Sequence, residues 1–259
     1  MVINFDGKSM KHSYASRVAS FSWKQAIKDI LTNKDVHHAV DLGCGGGIYS
    51  KALLDCGVQE VIGIDSSYSI LEGARENCHG ESRIKLAYGT AEETGLERST
   101  YHLVLARALI HHLPTINPFI KEAHRILKRG GVFVIQDRDF ADCLTEPSNT
   151  NIRGYFFEQF PRLIKLEKER RYAGEKVIDA LEKQGFIDIE EIKLWEVRKA
   201  HQSKESLLSE IKQRTGRSIL HALSDHEIEE LIDYLDVRLP NNEPVLEQDC
   251  WTMWKAVKK

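Results

Sequence analysis

The chain has 259 residues, of which 42% are hydrophobic, and this content is sufficient for a large hydrophobic core. Its formal net charge of −3 gives no support for a nucleic-acid partner. The five cysteines are widely spaced and form no CxxC pair, which gives no support for a metal centre. The sequence shows no apolar leader and no apolar run of about 18 residues, so we expect a reduced, cytoplasmic protein without a membrane segment.

Short apolar strands alternate with helices over the first half of the chain. A helix within residues 8–31 is followed by strands at 38–42, 58–65, 83–88, 101–106 and 132–135, with helices at 48–56, 69–78 and 118–128 between them. Gly130 and Gly131 are expected to end the last of these helices, because glycine readily forms a left-handed cap. Apolar strands connected by helices predict a parallel sheet that is covered on both faces.

The pattern is less regular after residue 139. Helical segments with aromatic residues at 140–174 precede a helix at 175–184, a strand at 186–197, helices at 203–214 and 224–235, and a strand at 251–257. Ser224 followed by Glu227 is typical of a capping box. We predict a single domain over residues 1–259, with a cap helix at 8–31, a cofactor-binding core at 36–139 and insertions at 140–174 and 200–246.

A glycine-rich segment, DLGCGGG at residues 41–47, follows the first predicted strand. Glycine there permits a tight turn and the close approach of a ligand. A phosphate-binding P-loop is excluded because Ile48 and Tyr49 stand where it needs lysine and serine or threonine, and Ile48 also breaks the GxGxxG dinucleotide fingerprint. Asp65 ends the next strand, where its carboxylate is expected to accept hydrogen bonds from a ribose, to cap the following helix, or to do both.

Four segments, in order across residues 38–139, resemble the motifs of class I S-adenosylmethionine-dependent methyltransferases, in particular the small-molecule, type 11 or UbiE-like group. They are VDLGCGGGIYS, VIGIDSSYSILEGAREN, TYHLVLARALIHHL and ILKRGGVFVIQDRD. The resemblance implies an α/β fold with a doubly wound, mostly parallel seven-stranded sheet, an antiparallel last strand and helical insertions that form a lid. It also implies S-adenosyl-L-methionine as the cofactor.

The resemblance assigns a set of residues to the cofactor. The methionine portion is expected beside Asp41, Gly43, Cys44, Gly45 and Gly47. Asp65 is expected to bind the ribose, and Ser66 to flank the adenine. Thr90, Ala91 and Glu92 follow the third strand; the family often has an acid where this chain has Thr90, so only the backbone contacts carry over. Arg107 follows the fourth strand, and its backbone carbonyl is expected at the cofactor, while its side chain either reaches a substrate anion or pairs with a surface acid.

Methyl transfer from a sulfonium needs alignment and exclusion of water, and it needs a general base only when the acceptor must lose a proton. The candidate catalytic residues are His111, Asp137 and Tyr14; the last resembles the tyrosine of cap helices in small-molecule methyltransferases. The candidate substrate ligands are His112, Arg138 and Tyr155. Structural alternatives remain open: a helix cap or turn packing for the histidines, a surface salt-bridge cluster for residues 137–139, and ordinary packing for the aromatics.

The sequence predicts a methyltransferase that modifies O, N or C of a small-molecule acceptor, as a monomer or homodimer, with no nucleic-acid or membrane partner. The NPPY-type signature of adenine and glutamine N-methyltransferases is missing, since the chain reads LARALIHHL after the fourth strand. A nucleic-acid or protein methyltransferase is the alternative, supported if Arg153, Arg162, Lys165, Arg170 and Arg171 form a basic face. Residues 165–171 are expected to be a solvated helix face. A non-catalytic cofactor-binding protein is the second alternative, and a dehydrogenase is a remote one.

Overall fold

The computed structural model describes residues 18–241 and 243–259. The chain divides into two compact units, and it passes from one to the other within two of its strands. Unit 1 takes in residues 18–137, 172–194 and 252–259 of the described chain, and unit 2 takes in residues 138–171 and 195–251. The predicted insertions at 140–174 and 200–246 lie largely within unit 2. The organisation as a single domain stays a prediction.

Seven strands form one sheet in the order β3-β2-β1-β4-β5-β7-β6. Strands β1 to β5 are parallel where they pair, and β7 is antiparallel to β5. This arrangement confirms the predicted doubly wound, mostly parallel sheet with an antiparallel last strand. The strands are β1 His38–Leu42, β2 Glu60–Asp65, β3 Ile84–Tyr88, β4 Tyr101–Arg107, β5 Leu127–Asp137, β6 Phe186–His201 and β7 Val245–Lys258.

Helices cover both faces of the sheet in unit 1. Successive residues of a strand point to opposite faces, so Val40 and Val104 join one apolar cluster while Ala39 and Leu103 join another. This double burial explains why the central strands are apolar at nearly every position. The helices of unit 1 are α1 Phe21–Ile30, α2 Ile48–Asp55, α3 Tyr68–Asn77, α4 Asn117–Ile126 and α8 Gly174–Lys183.

The described part of the cap helix is shorter than predicted. Helix α1 begins at Phe21, because the hydroxyl of Ser20 accepts a hydrogen bond from the Trp23 N–H and caps the helix there. The prediction of a continuous helix over 8–31 is therefore wrong for residues 18–20, while residues 8–17 lie outside the described residues. The buried face of α1 carries Trp23, Ile27 and Ile30.

The boundary between α4 and β5 also differs from the prediction. Helix α4 ends at Ile126, and Leu127 is already extended, with φ −65° and ψ 143°. Strand β5 runs through Gly130 and Gly131, so this pair does not end the helix. Gly130 has φ +75°, and the β4–β5 register shifts between Tyr101 and Leu103. The glycines therefore accommodate an irregularity in the strand pairing.

Unit 2 has its own apolar core, to which its helices contribute buried leucine, isoleucine and phenylalanine side chains. The capping box at Ser224 and Glu227 is confirmed at the start of one of them. The helices are α5 Phe140–Cys143, α6 Ile152–Gln159, α7 Arg162–Arg170, α9 Lys204–Lys212 and α10 Asp225–Asp236. Within residues 18–241 and 243–259, no helix is both long and apolar enough to cross a membrane.

Candidate active site

The loop between β1 and α2 contains three glycines in the left-handed region: Gly43, Gly45 and Gly47. The N–H groups of Gly43 and Cys44 both donate to the Ile64 carbonyl, at 2.8 and 3.0 Å, and tie the loop to the end of β2. A Cβ atom on Gly47 would lie 2.6 Å from Sγ of Cys78, whereas a Cβ atom on Gly45 would meet no atom within 4 Å. The loop is therefore packed at Gly47 and open at Gly45.

Asp65, at the end of β2, holds this loop. Its Oδ2 accepts from the Gly45 N–H and its Oδ1 from the Ser67 N–H, both at 3.0 Å. Burial raises the pKa of Asp65, while these backbone donors oppose the shift. The cap of α3 is Ser67 rather than Asp65, so the helix-cap interpretation of Asp65 is wrong. Each carboxylate oxygen retains capacity for a further hydrogen bond, as contacts with ribose hydroxyls require.

Asp41, in β1, is a second carboxylate close to the loop. It is buried, and its Oδ2 accepts a 2.7 Å hydrogen bond from the Ser50 hydroxyl. Burial raises the pKa of Asp41 to about 6, although the Ser50 hydrogen bond lowers it, and the nearby charges of Asp65 and Arg107 act in opposite directions. The carboxylate can therefore change its charge near neutral pH.

The segment after β3 presents few side-chain groups to a ligand. Thr90 is exposed, and its hydroxyl accepts from the Glu93 N–H in a local turn, while Ala91 is buried and Glu92 is half-buried. The expectation that only the backbone of this segment contacts the adenine stays a prediction. Ser66 is exposed at the same edge of the sheet.

Sequence reasoning missed an aromatic pair beside Asp65. The rings of Tyr68 and Tyr88 stack with centroids 4.3 Å apart and planes 7° from parallel, and both side chains are substantially exposed. Tyr88 is the β3 partner of Asp65 in the strand register, and Tyr68 opens α3 three residues after Asp65. The presence of tyrosines next to the ends of adjacent strands is the signal that could have indicated the pair.

Arg107, at the end of β4, is held by an aromatic ring and a buried amide. Its guanidinium carbon lies 4.2 Å from the ring centroid of Tyr49, and its Nε donates to Oε1 of Gln136 at 3.0 Å. The same oxygen accepts from Nε1 of Trp23 at 2.8 Å. Gln136 is fully buried and was not predicted as a site residue. These contacts fix the direction of the Arg107 side chain at the carboxyl edge of the sheet.

His111 and Asp137, both predicted as catalytic candidates, form a close pair. Nδ1 of His111 lies 2.8 Å from Oδ2 and 3.0 Å from Oδ1 of Asp137, and the His111 backbone N–H donates to Oδ2 at 3.3 Å. Asp137 is buried at the end of β5, and His111 lies in a short 3-10 turn at Ile110–His112. A neutral imidazole that donates from Nδ1 carries its lone pair on Nε2. The pair therefore has the arrangement of a base and its orienting carboxylate.

The other catalytic and substrate candidates are distributed between the two units and the residues that the structure does not describe. Tyr14 lies outside the described residues. His112 contacts His111 with ring centroids 3.9 Å apart. In unit 2, Arg138 forms an ion pair with Asp249 at 2.5 Å, and Tyr155 packs against the apolar core.

Residues 137–139 do not form a surface salt-bridge cluster. Asp137 is buried against His111, whereas in unit 2 the Arg138 side chain is only 11% exposed and Asp139 caps α5. The structural alternative proposed for this tripeptide is therefore wrong. No group of three or more His, Cys, Asp or Glu residues in the described part of the chain is arranged to hold a metal ion.

The basic face that would support a nucleic-acid or protein substrate is not formed on α6 and α7. Arg153, Arg170 and Arg171 all contact the carboxylate of Glu167, which is fully buried in unit 2. Arg162 pairs with Glu227, and Lys165 lies near Glu169. The prediction that residues 165–171 are a solvated helix face is wrong at Glu167, because that side chain binds three guanidinium groups.

Comparison with known families agrees with this site. Residues 40–135 match the family model described as a methyltransferase domain. The matched segment contains the glycine-rich loop, most of β1 and strands β2 to β4, so this part of the chain is similar to methyltransferase domains in sequence as well as in sheet order.

Particular relatives match over a similar segment. The chain is 31% identical to a ubiquinone biosynthesis O-methyltransferase of Pelagibacter ubique over 133 residues, which are 51% of this chain and 53% of that protein. It is 31% identical to a demethylmenaquinone methyltransferase of Staphylococcus aureus over 137 residues, 50% of this chain and 56% of that protein. The chain thus spans about half the length of the curated relatives it matches.

A solved structure resembles the fold over almost the whole chain. It is the phosphoethanolamine N-methyltransferase 2 of Haemonchus contortus in complex with S-adenosyl-L-methionine, with a TM-score of 0.62 and 20% identity. The match covers 99% of this chain and 60% of that protein. At this identity the likeness concerns the fold alone.

Proposed function

We propose that the whole protein is an S-adenosylmethionine-dependent methyltransferase that modifies a small-molecule acceptor. The observation that carries the proposal is the open glycine loop held by Asp65 within the segment that matches the methyltransferase domain. Because a Cβ atom on Gly45 would meet no described atom within 4 Å, a ligand has space to contact the loop directly there. The second carboxylate, Asp41, gives this region the negative charge that suits a cationic cofactor.

The residues present fit this cofactor. Gly43, Gly45 and Gly47 would hold its methionine portion, Asp65 its ribose, and Ser66 and Ala91 would flank its adenine. When bound, S-adenosylmethionine supplies a methyl group that its sulfonium has already activated. The chain then has to orient the acceptor, exclude water and accept one proton from the acceptor.

The His111–Asp137 pair supports an acceptor that loses a proton. In this proposal, Nε2 of His111 takes the proton from the acceptor, and Asp137 stabilises the imidazolium through Nδ1. A hydroxyl acceptor needs this help, because its oxygen is a weak nucleophile until its proton leaves. The names of both curated relatives refer to quinones, and one of them is an O-methyltransferase, so quinone-type molecules with a ring hydroxyl are the first acceptors to test.

Calorimetric titration with S-adenosylmethionine and, separately, with NADH tests the cofactor. We expect saturable one-to-one binding of S-adenosylmethionine alone. Formation of S-adenosylhomocysteine with a panel of hydroxylated quinone precursors then tests the activity. Tight cofactor binding without turnover on hydroxyl, amine or carbon acceptors would favour the non-catalytic alternative.

The proton-transfer role has its own test. His111→Asn is expected to lower the turnover of a hydroxyl acceptor by roughly 10² to 10⁴-fold while cofactor affinity stays unchanged. His226→Asn, at an exposed residue of α10 in unit 2, is the control and should keep full activity. Normal turnover in a folded His111→Asn variant would exclude His111 as the base.

A further inference from the structure

Unit 2 contains a small cavity that is lined mainly by guanidinium groups. Its volume is about 50 Å³, several times the roughly 10 to 15 Å³ that one water molecule requires in the same measure. Two carboxylates, Glu247 and Asp249, also line it. The arginines are Arg138, Arg153, Arg170, Arg198 and Arg217.

The lining has an excess of positive charge, since five guanidinium groups face two carboxylates. Glu167 lies close by and binds Arg153 and Arg170, but it also binds Arg171. Glu210 likewise lies 3.8 Å from Arg217 and also pairs with Lys199. Including Glu167 and Glu210 together with Arg171 and Lys199 adds two negative and two positive charges, and the excess of three positive charges is unchanged.

The two lining carboxylates are each already engaged by the lining arginines. Glu247 accepts from Nη2 of Arg217 at 2.6 Å and from Nε of Arg198 at 3.0 Å. Asp249 lies 2.5 Å from Nη2 of Arg138. These acids orient the guanidinium groups around the cavity without neutralising their sum.

One donor at the cavity lacks an acceptor. Nε of Arg153 is buried and has no hydrogen-bond partner within the residues that the structure describes. A buried donor without an acceptor is unfavourable, and more so when it carries charge. Burial lowers the pKa of Arg138; Asp249 opposes this shift, while the charges of Arg153 and Arg171 add to it. The cavity therefore combines an excess of positive charge with a buried hydrogen-bond donor that has no acceptor.

We propose that this cavity binds one dianionic oxyanion, a phosphate group that is either free or part of a small phosphomonoester. Planar guanidinium groups donate paired hydrogen bonds to phosphate oxygens, and the volume accommodates one such group. A carboxylate would offset only one of the three excess charges. All the residues involved belong to unit 2, and the binding test below does not require methyl transfer.

Calorimetry of the full chain with inorganic phosphate at low ionic strength tests the site. We expect one-to-one binding that Arg153→Met weakens roughly tenfold or more, since charge-assisted hydrogen bonds are lost. Arg170 and Arg171 would still neutralise Glu167 in this variant, which supports its folding. Arg162→Met is the matched control, because Arg162 belongs to the same unit but pairs with Glu227 outside the cavity lining, and it should bind phosphate normally.

Glycerol phosphate and acetate distinguish the ligand. Tighter binding of glycerol phosphate than of inorganic phosphate would assign the group to an organic ligand, and equal binding would assign it to free phosphate; both support the site. If Arg153→Met does not fold, Arg153→Lys keeps the charge but lacks the planar fork, and it should also weaken binding. The proposal is wrong if neither phosphate compound binds, if acetate binds equally well, or if the Arg153 variants that fold bind phosphate normally.

Discussion

Replacing Gly45 with alanine separates a contact with the cofactor from strain in the loop. Gly45 has φ +54°, and an added Cβ would meet no atom of the described chain within 4 Å. In the protein alone, Gly45→Ala therefore costs only the left-handed backbone strain, about 1 kcal/mol. The hydrogen bond from the Gly45 N–H to Asp65 is compatible with alanine. Because the new methyl group enters the open space beside the loop, S-adenosylmethionine affinity should fall roughly tenfold or more.

Gly80→Ala is the matched control for this prediction. Gly80 has φ +85° in the turn after α3, and its added Cβ also meets no atom within 4 Å. Thermal unfolding should show a similar destabilisation in the two variants, while calorimetry should show weaker cofactor binding only for Gly45→Ala. Equal cofactor affinity in both folded variants would refute the placement of the cofactor against this loop.

Three further predictions concern the carboxylates of Asp65, Asp41 and Glu167. Asp65→Ala should weaken S-adenosylmethionine binding by roughly 1–3 kcal/mol in calorimetry, and unchanged affinity would contradict the ribose assignment. Asp41, with its pKa raised from 3.8 to about 6, contributes stability below pH 3.8 that is lost as the pH rises through 6. Denaturation at pH 4 and pH 7 should show a loss on the order of 3 kcal/mol that Asp41→Asn lacks, and identical pH profiles would exclude this shift. Glu167→Gln should destabilise unit 2 by about 3–5 kcal/mol, because three arginines lose their buried partner, whereas Glu169→Gln, at an exposed position of the same helix, should change little.

Much of the parallel sheet could be predicted because its strands are apolar on both faces and its helices follow at regular intervals. The end of α4 could not, since a left-handed glycine is equally suited to a helix cap and to an irregular strand. Gly130 has this conformation inside β5. Only the pairing with β4, which depends on residues about 30 positions away, distinguishes the two uses.

The candidate site likewise contains some residues that could be predicted from the sequence and others that could not. His111 and Asp137 were predictable as neighbours because His111 follows β4 and Asp137 ends the adjacent parallel strand β5, and the carboxyl ends of the two strands meet at one edge of the sheet. The role of Gln136 could not be predicted in this way. A glutamine in an apolar strand shows a role only once its hydrogen-bond donors, here Trp23 and Arg107, are known. Glu167 was misread because alternating charges usually mark a solvated helix face. Its third partner, Arg153, comes from another helix.

Helix α1 helps to hold the candidate site in place, because Trp23 of this helix donates a hydrogen bond to Oε1 of Gln136. Trp23 and Arg107 donate to the same oxygen, so the position of one donor constrains the other. Trp23→Phe would remove one of these two donors, so the amide and Arg107 would be held less firmly. A change on a helix that is distant in sequence would thus alter how firmly Arg107 is held at the carboxyl edge of β4. The geometry of the candidate site therefore depends on α1 as well as on the glycine-rich loop.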